Sequence, residues 1–202
     1  MAVIHRASLV PSKLELIDRW LATQPWDGGG AELRRVGSYR FDDPDGEVGV
    51  EGLLVARGEM VFHVLLTYRG APLEGADEWL IGTMEHSVLG TRWVYDGVGD
   101  PVAVAALARA MRGEQDQAAL ELHDGDTVVG HQEADVRVWS RAAAAPPIPA
   151  AGPAPATDDG ICEVDRGGAQ LRVVRVLGAA LAGEHELVAK WRGGEAVVAA
   201  EA

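Results

Sequence analysis

Residues 81–102, IGTMEHSVLGTRWVYDGVGDPV, gather an imidazole, a guanidinium, two large rings and a carboxylate within eleven positions, His86 to Asp96. His86 can move a proton or ligate a metal. Arg92 can pair with a carboxylate, and Trp93 can stack on a sugar ring. In an extended strand, alternation puts Arg92, Val94 and Asp96 on one face and Trp93 and Tyr95 on the other. An internal Arg–carboxylate pair with aromatic packing accounts for that pattern, and so does a ligand site. Trp26, beside Gly28-Gly29-Gly30, and Tyr68, in the tract VFHVLLTYR, are further rings that can close a core or line a site. The candidate ligand-binding set is therefore Trp26, Tyr68, His86, Arg92, Trp93 and Asp96.

Familiar catalytic spacings do not organise these residues. His63, Glu85, His86 and His131 are types that suit zinc or iron, but they form no HExxH pair or other helical-turn spacing, so no metal is expected. Ser87 sits in HSVLG and not in a GxSxG elbow, which argues against acyl transfer. The three glycines follow a helix and precede no GK[ST], which argues against a phosphate loop. No catalytic residue and no cofactor is assigned.

The balance of 18 basic against 31 acidic residues, a net charge of −13 with no basic run longer than Arg34-Arg35, argues against a nucleic-acid partner. No apolar run reaches the roughly 18 residues of a membrane span, and the N-terminus has no apolar signal core, so a cytoplasmic protein is expected. Cys162, the single cysteine, has no internal partner for a disulfide. Only two of the basic residues are lysines, Lys13 and Lys190, a bias typical of high-GC bacterial coding.

The elements that would position the candidates follow from periodicity and punctuation. Residues 2–10 read as a strand. Ser12 and Glu15 have the spacing of a capping box, opening a helix whose stripe is Leu14, Ile17 and Leu21. Three strands follow at 32–41, 47–56 and 60–68, separated by turn-forming sequences. The third is apolar on both faces and so belongs inside a sheet. Asp100 caps a second helix with Pro101 at its first position and Gly113 as its stop. Strands at 117–122 and 134–139 complete the first unit, with His123-Asp124-Gly125-Asp126 as a turn. The expected class is α+β, a curved antiparallel sheet with two main helices.

Residues 142–157, AAAAPPIPAAGPAPAT, hold five of the ten prolines and no charge, and read as a semi-rigid extended connector. The expected organisation is thus a domain over 1–141, a linker over 142–157 and a β-rich segment over 158–202. Arg166-Gly167-Gly168 and Arg192-Gly193-Gly194 each sit between Val-rich tracts, as turns of two hairpins. On this reading a fragment ending at Arg141 folds alone, and the segments flanking the linker need not touch.

A helix ending near Trp26, VFHVLLTYRGAPL, IGTMEHSVLGTRWVYDG and the DPVAVAAL helix occur in an order that resembles the N-terminal cap domain of maltokinase-like sugar kinases. The resemblance covers roughly residues 1–113. It implies a module that precedes the kinase lobes and carries no phosphoryl-transfer residue. Kinases of that type need a catalytic aspartate followed by a metal-binding asparagine; this chain has no asparagine, and fewer than 80 residues follow His123-Asp124-Gly125-Asp126. The resemblance therefore implies a stand-alone, non-catalytic, accessory or regulatory protein of glycogen or trehalose metabolism. Its partner would be a sugar kinase or a glucan or trehalose enzyme. The alternative is a binder of a carbohydrate or sugar phosphate, and an enzyme with a site around Glu85, His86, Arg92 and Asp96 is the remote third.

Overall fold

The N-terminal extended tract forms two strands, β1 (Ala2–His5) and β2 (Leu9–Val10), which enter different sheets. These and all later elements belong to a computed structural model that describes residues 2–5, 7–124, 127–142, 160–165 and 170–201. Helix α1 (Lys13–Leu21) opens on the expected capping box: Ser12 Oγ accepts from the Glu15 amide at 3.3 Å, and Glu15 Oε2 accepts from the Ser12 amide at 2.8 Å. Leu16, Ile17 and Leu21 are its buried residues, with Leu14 packed at the margin.

Strands β3 (Leu33–Phe41), β4 (Gly49–Arg57), β5 (Met60–Arg69), β6 (Leu80–His86) and β7 (Gly90–Asp96) join β2 in a curled antiparallel sheet ordered β2-β6-β7-β5-β4-β3. Alternation divides its apolar residues between two cores. Leu53, Val55, Val64 and Leu66 pack with α1, whereas Tyr39, Leu54 and Leu65 face the other way. Tyr39 can cross the sheet because the residue opposite it is Gly52. A Cβ there would lie about 2.1 Å from the Tyr39 ring.

Helix α2 (Pro101–Met111) packs on that second face. Its cap is Asp100, whose carboxylate accepts from the Val102 amide at 3.0 Å and is gripped by the Arg69 fork at 2.7 and 2.8 Å. Gly113, at φ +74°, lets the chain leave the helix where the sequence indicates. Then come β8 (Leu120–Asp124), β9 (Thr127–Gln132) and β10 (Arg137–Ala142). Strands β1, β8 and β9 form a small sheet in which β1 runs parallel to β8. The expected turn at 123–126 falls partly on residues 125–126, outside the described residues. Strand β9, TVVGHQ, is an element that periodicity did not signal, because its few apolar residues, Val128 and Val129, are adjacent and exposed.

The final segment supplies β11 (Ile161–Asp165), β12 (Gln170–Val174), β13 (His185–Trp191) and β14 (Gly194–Glu201). The two expected hairpins are present as β11–β12 and β13–β14. The first turn, with Arg166-Gly167-Gly168, and most of the 142–157 tract lie outside the described residues. The segments flanking that tract, which by composition need not touch, are in contact, as three observations show. Strand β10, which precedes the tract, pairs with β13, so the sheet reads β10-β13-β14-β12-β11 across it. Leu107 and Met111 of α2 share one core with Leu54 and Leu65 from the first sheet and Leu187 and Val198 from the second. Residues 175–177 also occupy the edge of β5: β7 pairs with β5 only over 66–69, and upstream of that the His63 amide donates to the Arg175 carbonyl at 2.9 Å and the Leu177 amide to Val61 at 2.8 Å. Helix α2 thus lies between two sheets, and the composition boundary is crossed by the core.

Candidate functional site

On the α1 face of the first sheet, toward the β3–β4 turn, the surface opens into a groove of about 550 Å³, within the usual range for small-molecule sites. Each element contributes through the same alternation that separates the cores. Lys13 comes from the start of α1, Arg40 from β3, Tyr68 from β5, Met84 and His86 from β6, and Arg92 from β7.

Under this wall lies Glu51, in β4, only 2% exposed. Lys13 Nζ stands 2.6 Å from Glu51 Oε2, Tyr68 donates its hydroxyl proton to the same oxygen at 2.7 Å, and Arg40 lies 3.7 Å away. Burial by itself would raise the Glu51 pKa, but the Lys13 and Arg40 charges and the two hydrogen bonds outweigh it and hold the carboxyl well below its usual range. Burial and the neighbouring carboxylate push the Tyr68 hydroxyl the other way, well above its ordinary value, so it is a donor and not a phenolate. The Lys13 ammonium also sits over the Tyr68 ring, 5.3 Å from its centre.

The tight turn at 87–90 sets the other end of the wall. His86 Nδ1 accepts from the amides of Val88 at 3.2 Å and Leu89 at 3.1 Å, so the neutral ring carries its proton on Nε2. The Leu89 carbonyl accepts from Arg92 Nη2 at 2.6 Å. Gly90, at φ +72°, closes the turn, and the Ser87 amide donates to the Ser8 carbonyl at 3.1 Å, anchoring it beside β2. One four-residue turn therefore orients both His86 and Arg92.

Of the six candidates, the structure brings Tyr68, His86 and Arg92 together along this groove. The other three stand elsewhere. Trp26 is 8% exposed and packs edge-on to Trp20 and against Phe62, sealing the core beneath α1. Trp93 is half-buried and, by alternation with Arg92 and Val94, belongs to the opposite face. Asp96 shares a face with Arg92, but its partner is Arg175, at 2.5 Å, in a pair with both side chains almost wholly buried. The proposed metal set is likewise dispersed. His63 is fully buried: its Nδ1–H donates to the Val174 carbonyl at 3.1 Å, and Nε2 therefore accepts from the Tyr39 hydroxyl at 2.9 Å. Among the described residues no group of three or more His, Cys, Asp or Glu side chains is disposed to hold a metal.

Residues 20–100 match the family model of the maltokinase N-terminal cap domain. The cap match runs from the end of α1 through β3–β7 to the Asp100 cap, so Tyr68, His86 and Arg92 lie inside it, whereas Lys13, α2 and the second sheet lie outside. The match covers about two-fifths of the chain. No curated protein matches the chain. Among the described residues no helix is long and apolar enough to cross a membrane.

Sequence reasoning missed Lys13, Arg40 and Glu51 at the groove and Arg175 at the junction. Glu51 had a signal: a lone acid within GVEGLLVA, a strand otherwise apolar on both faces, must be buried and needs cations. Arg175 had none, because its partner is 79 residues away and the link exists only in three dimensions.

Proposed function

We propose that this protein is a non-catalytic accessory or regulatory module of the maltokinase-cap type, working in a bacterial cytoplasm on a sugar kinase or on an enzyme of glucan or trehalose metabolism. The observation that carries this reading is the cap-domain match over 20–100. It is supported by how the chain spends its candidate chemistry: His63, Asp96 and Asp100 are committed to internal hydrogen bonds and ion pairs. His123-Asp124, the nearest likeness to a kinase catalytic loop, precedes no asparagine in the 202 residues.

Two assays test the proposal. Purified protein with ATP, magnesium and maltose, glucose or glucosamine should release no more ADP than a mock-purified control. Mixed with the sugar kinase or trehalose enzyme encoded nearest to it, the protein should co-elute or change that enzyme's KM or kcat. Sugar-dependent ADP release that survives further purification, or the absence of both co-elution and any kinetic effect, contradicts it. A second reading, a small-molecule binder, is favoured by the groove itself, whose volume and mixed polar and aromatic lining suit a ligand of sugar size.

A further inference from the structure

We propose that the Arg92 wall of the groove binds the anionic group of a small hydroxylated molecule, a sugar phosphate or a sugar acid. The inference rests on the small-molecule reading and makes it specific.

The cationic side chains of the groove outnumber the carboxylate they share. On the basic wall Lys13 and Arg40 share one carboxylate, Glu51, which leaves one positive charge in excess. Arg92 adds a second: among the described residues its hydrogen-bond partner is the neutral Leu89 carbonyl, no carboxylate lies within ion-pair distance, and its Nε is buried without an acceptor. A half-buried guanidinium compensated only by a peptide dipole gains from an oxyanion, to which its Nη1 can donate. In a chain of net charge −13, such a wall is a local exception.

The acidic side chains of the groove define the rest of the ligand. Asp42, Asp43 and Glu47 line it. The Asp43 carboxylate is occupied in holding its own turn, accepting from the amides of Asp45, Glu47 and Val48 at 3.3, 3.0 and 2.9 Å. A groove lined by both cations and carboxylates suits a molecule whose anionic end meets Arg92 and whose hydroxyls donate to the acidic lining. A simple inorganic anion would satisfy only one side.

Calorimetric titration of the full chain with glucose 6-phosphate, gluconate, glucose and inorganic phosphate tests this. The two sugar anions should bind, inorganic phosphate more weakly, and glucose at least tenfold more weakly. Arg92→Gln should lower affinity for the anions by tenfold or more, and Arg92→Lys by less because it retains the positive charge, with both variants keeping the parental melting temperature within a few degrees. Raising the salt from 50 to 300 mM should weaken the anions and not glucose. If Arg92→Gln loses the fold, Arg92→Lys and the salt series still decide. Glucose binding as tightly as its phosphate, or anion binding unchanged in both variants, overturns the anion assignment while keeping the groove as a site. No binding by any of the four overturns this inference and the small-molecule reading together, and leaves the accessory-module proposal to its own assays.

Discussion

Glu51 and Asp96 are both buried carboxylates on the α1 face of the same sheet, and they are used in opposite ways. Asp96 sits where β7 leaves the edge of β5 and residues 175–177 take over, and it meets one arginine that is as buried as itself. Arg175 also lies over the Trp20 ring, 6.0 Å from its centre, so the pair is sealed beneath α1. Glu51 meets two cations and a tyrosine at the lip of an open groove, where Lys13 and Arg40 remain about one-fifth exposed. A one-to-one sealed pair leaves no charge to offer and fixes architecture. A two-to-one pair at an opening leaves a positive surface, which is where ligand chemistry can begin.

The largest effect separating the two should come from Arg175→Ala. Removing one member of a sealed pair leaves Asp96 buried and uncompensated, a loss of about 3–5 kcal/mol, measured by chemical unfolding. Asp96→Leu combined with Arg175→Met should recover much of that loss, since well-packed apolar replacements of buried pairs are often neutral. If the single variant costs no more than a surface substitution, the pair is not sealed.

Next is a pH window belonging to the same junction. Burial, the largest cause, and the nearby Arg175 charge lower the His63 pKa from 6.5 to about 4, with the Val174 hydrogen bond acting in the opposite sense. The unfolded chain therefore takes up this proton near pH 6.5 and the folded chain only near 4. Stability from this group is complete above about 6.5 and falls as the pH drops toward 4, by up to roughly 3 kcal/mol. The slope of unfolding free energy between pH 6.5 and 4.5 should flatten in His63→Gln. Glu51 acts in a separate, lower window: its folded pKa is depressed, so its contribution is present above about 4.5 and is lost only below that.

The smallest effect should be Glu51→Gln, roughly 1–3 kcal/mol, because Lys13 and Arg40 can still turn toward water when their shared carboxylate goes. The variant should also strengthen anion binding in the groove, as one negative charge leaves the basic wall. Weaker binding would mean that Glu51 orders that wall more than it neutralises it.

What could be read in the sequence was local. The capping box at Ser12 and Glu15, the Asp100 cap with Pro101, and the turn-separated strands 32–41, 47–56 and 60–68 are each specified within a few residues. Alternation alone placed β5 inside the sheet. The groove was half legible, since Tyr68, His86 and Arg92 were selected by residue type and do converge. Lys13, which completes it with Glu51 from 38 residues away, carries an ordinary surface identity. The Ala/Pro-rich composition of 142–157 suggested independence of its two sides, but composition says nothing about pairing, and β10 finds its partner in β13, beyond the tract.

The C-terminal strands complete the fold around the segment that matches the maltokinase cap-domain model. Thermal unfolding of a chain ending at Ala142, beside the full chain, tests this most directly. The truncation strips Val173, Val174 and Leu187 from the core, uncovers the edge of β5 and leaves Asp96 without Arg175. The truncated chain should show no cooperative transition. A sharp transition within a few degrees of the full chain would mean that the cap segment folds alone and that the second sheet only rests upon it.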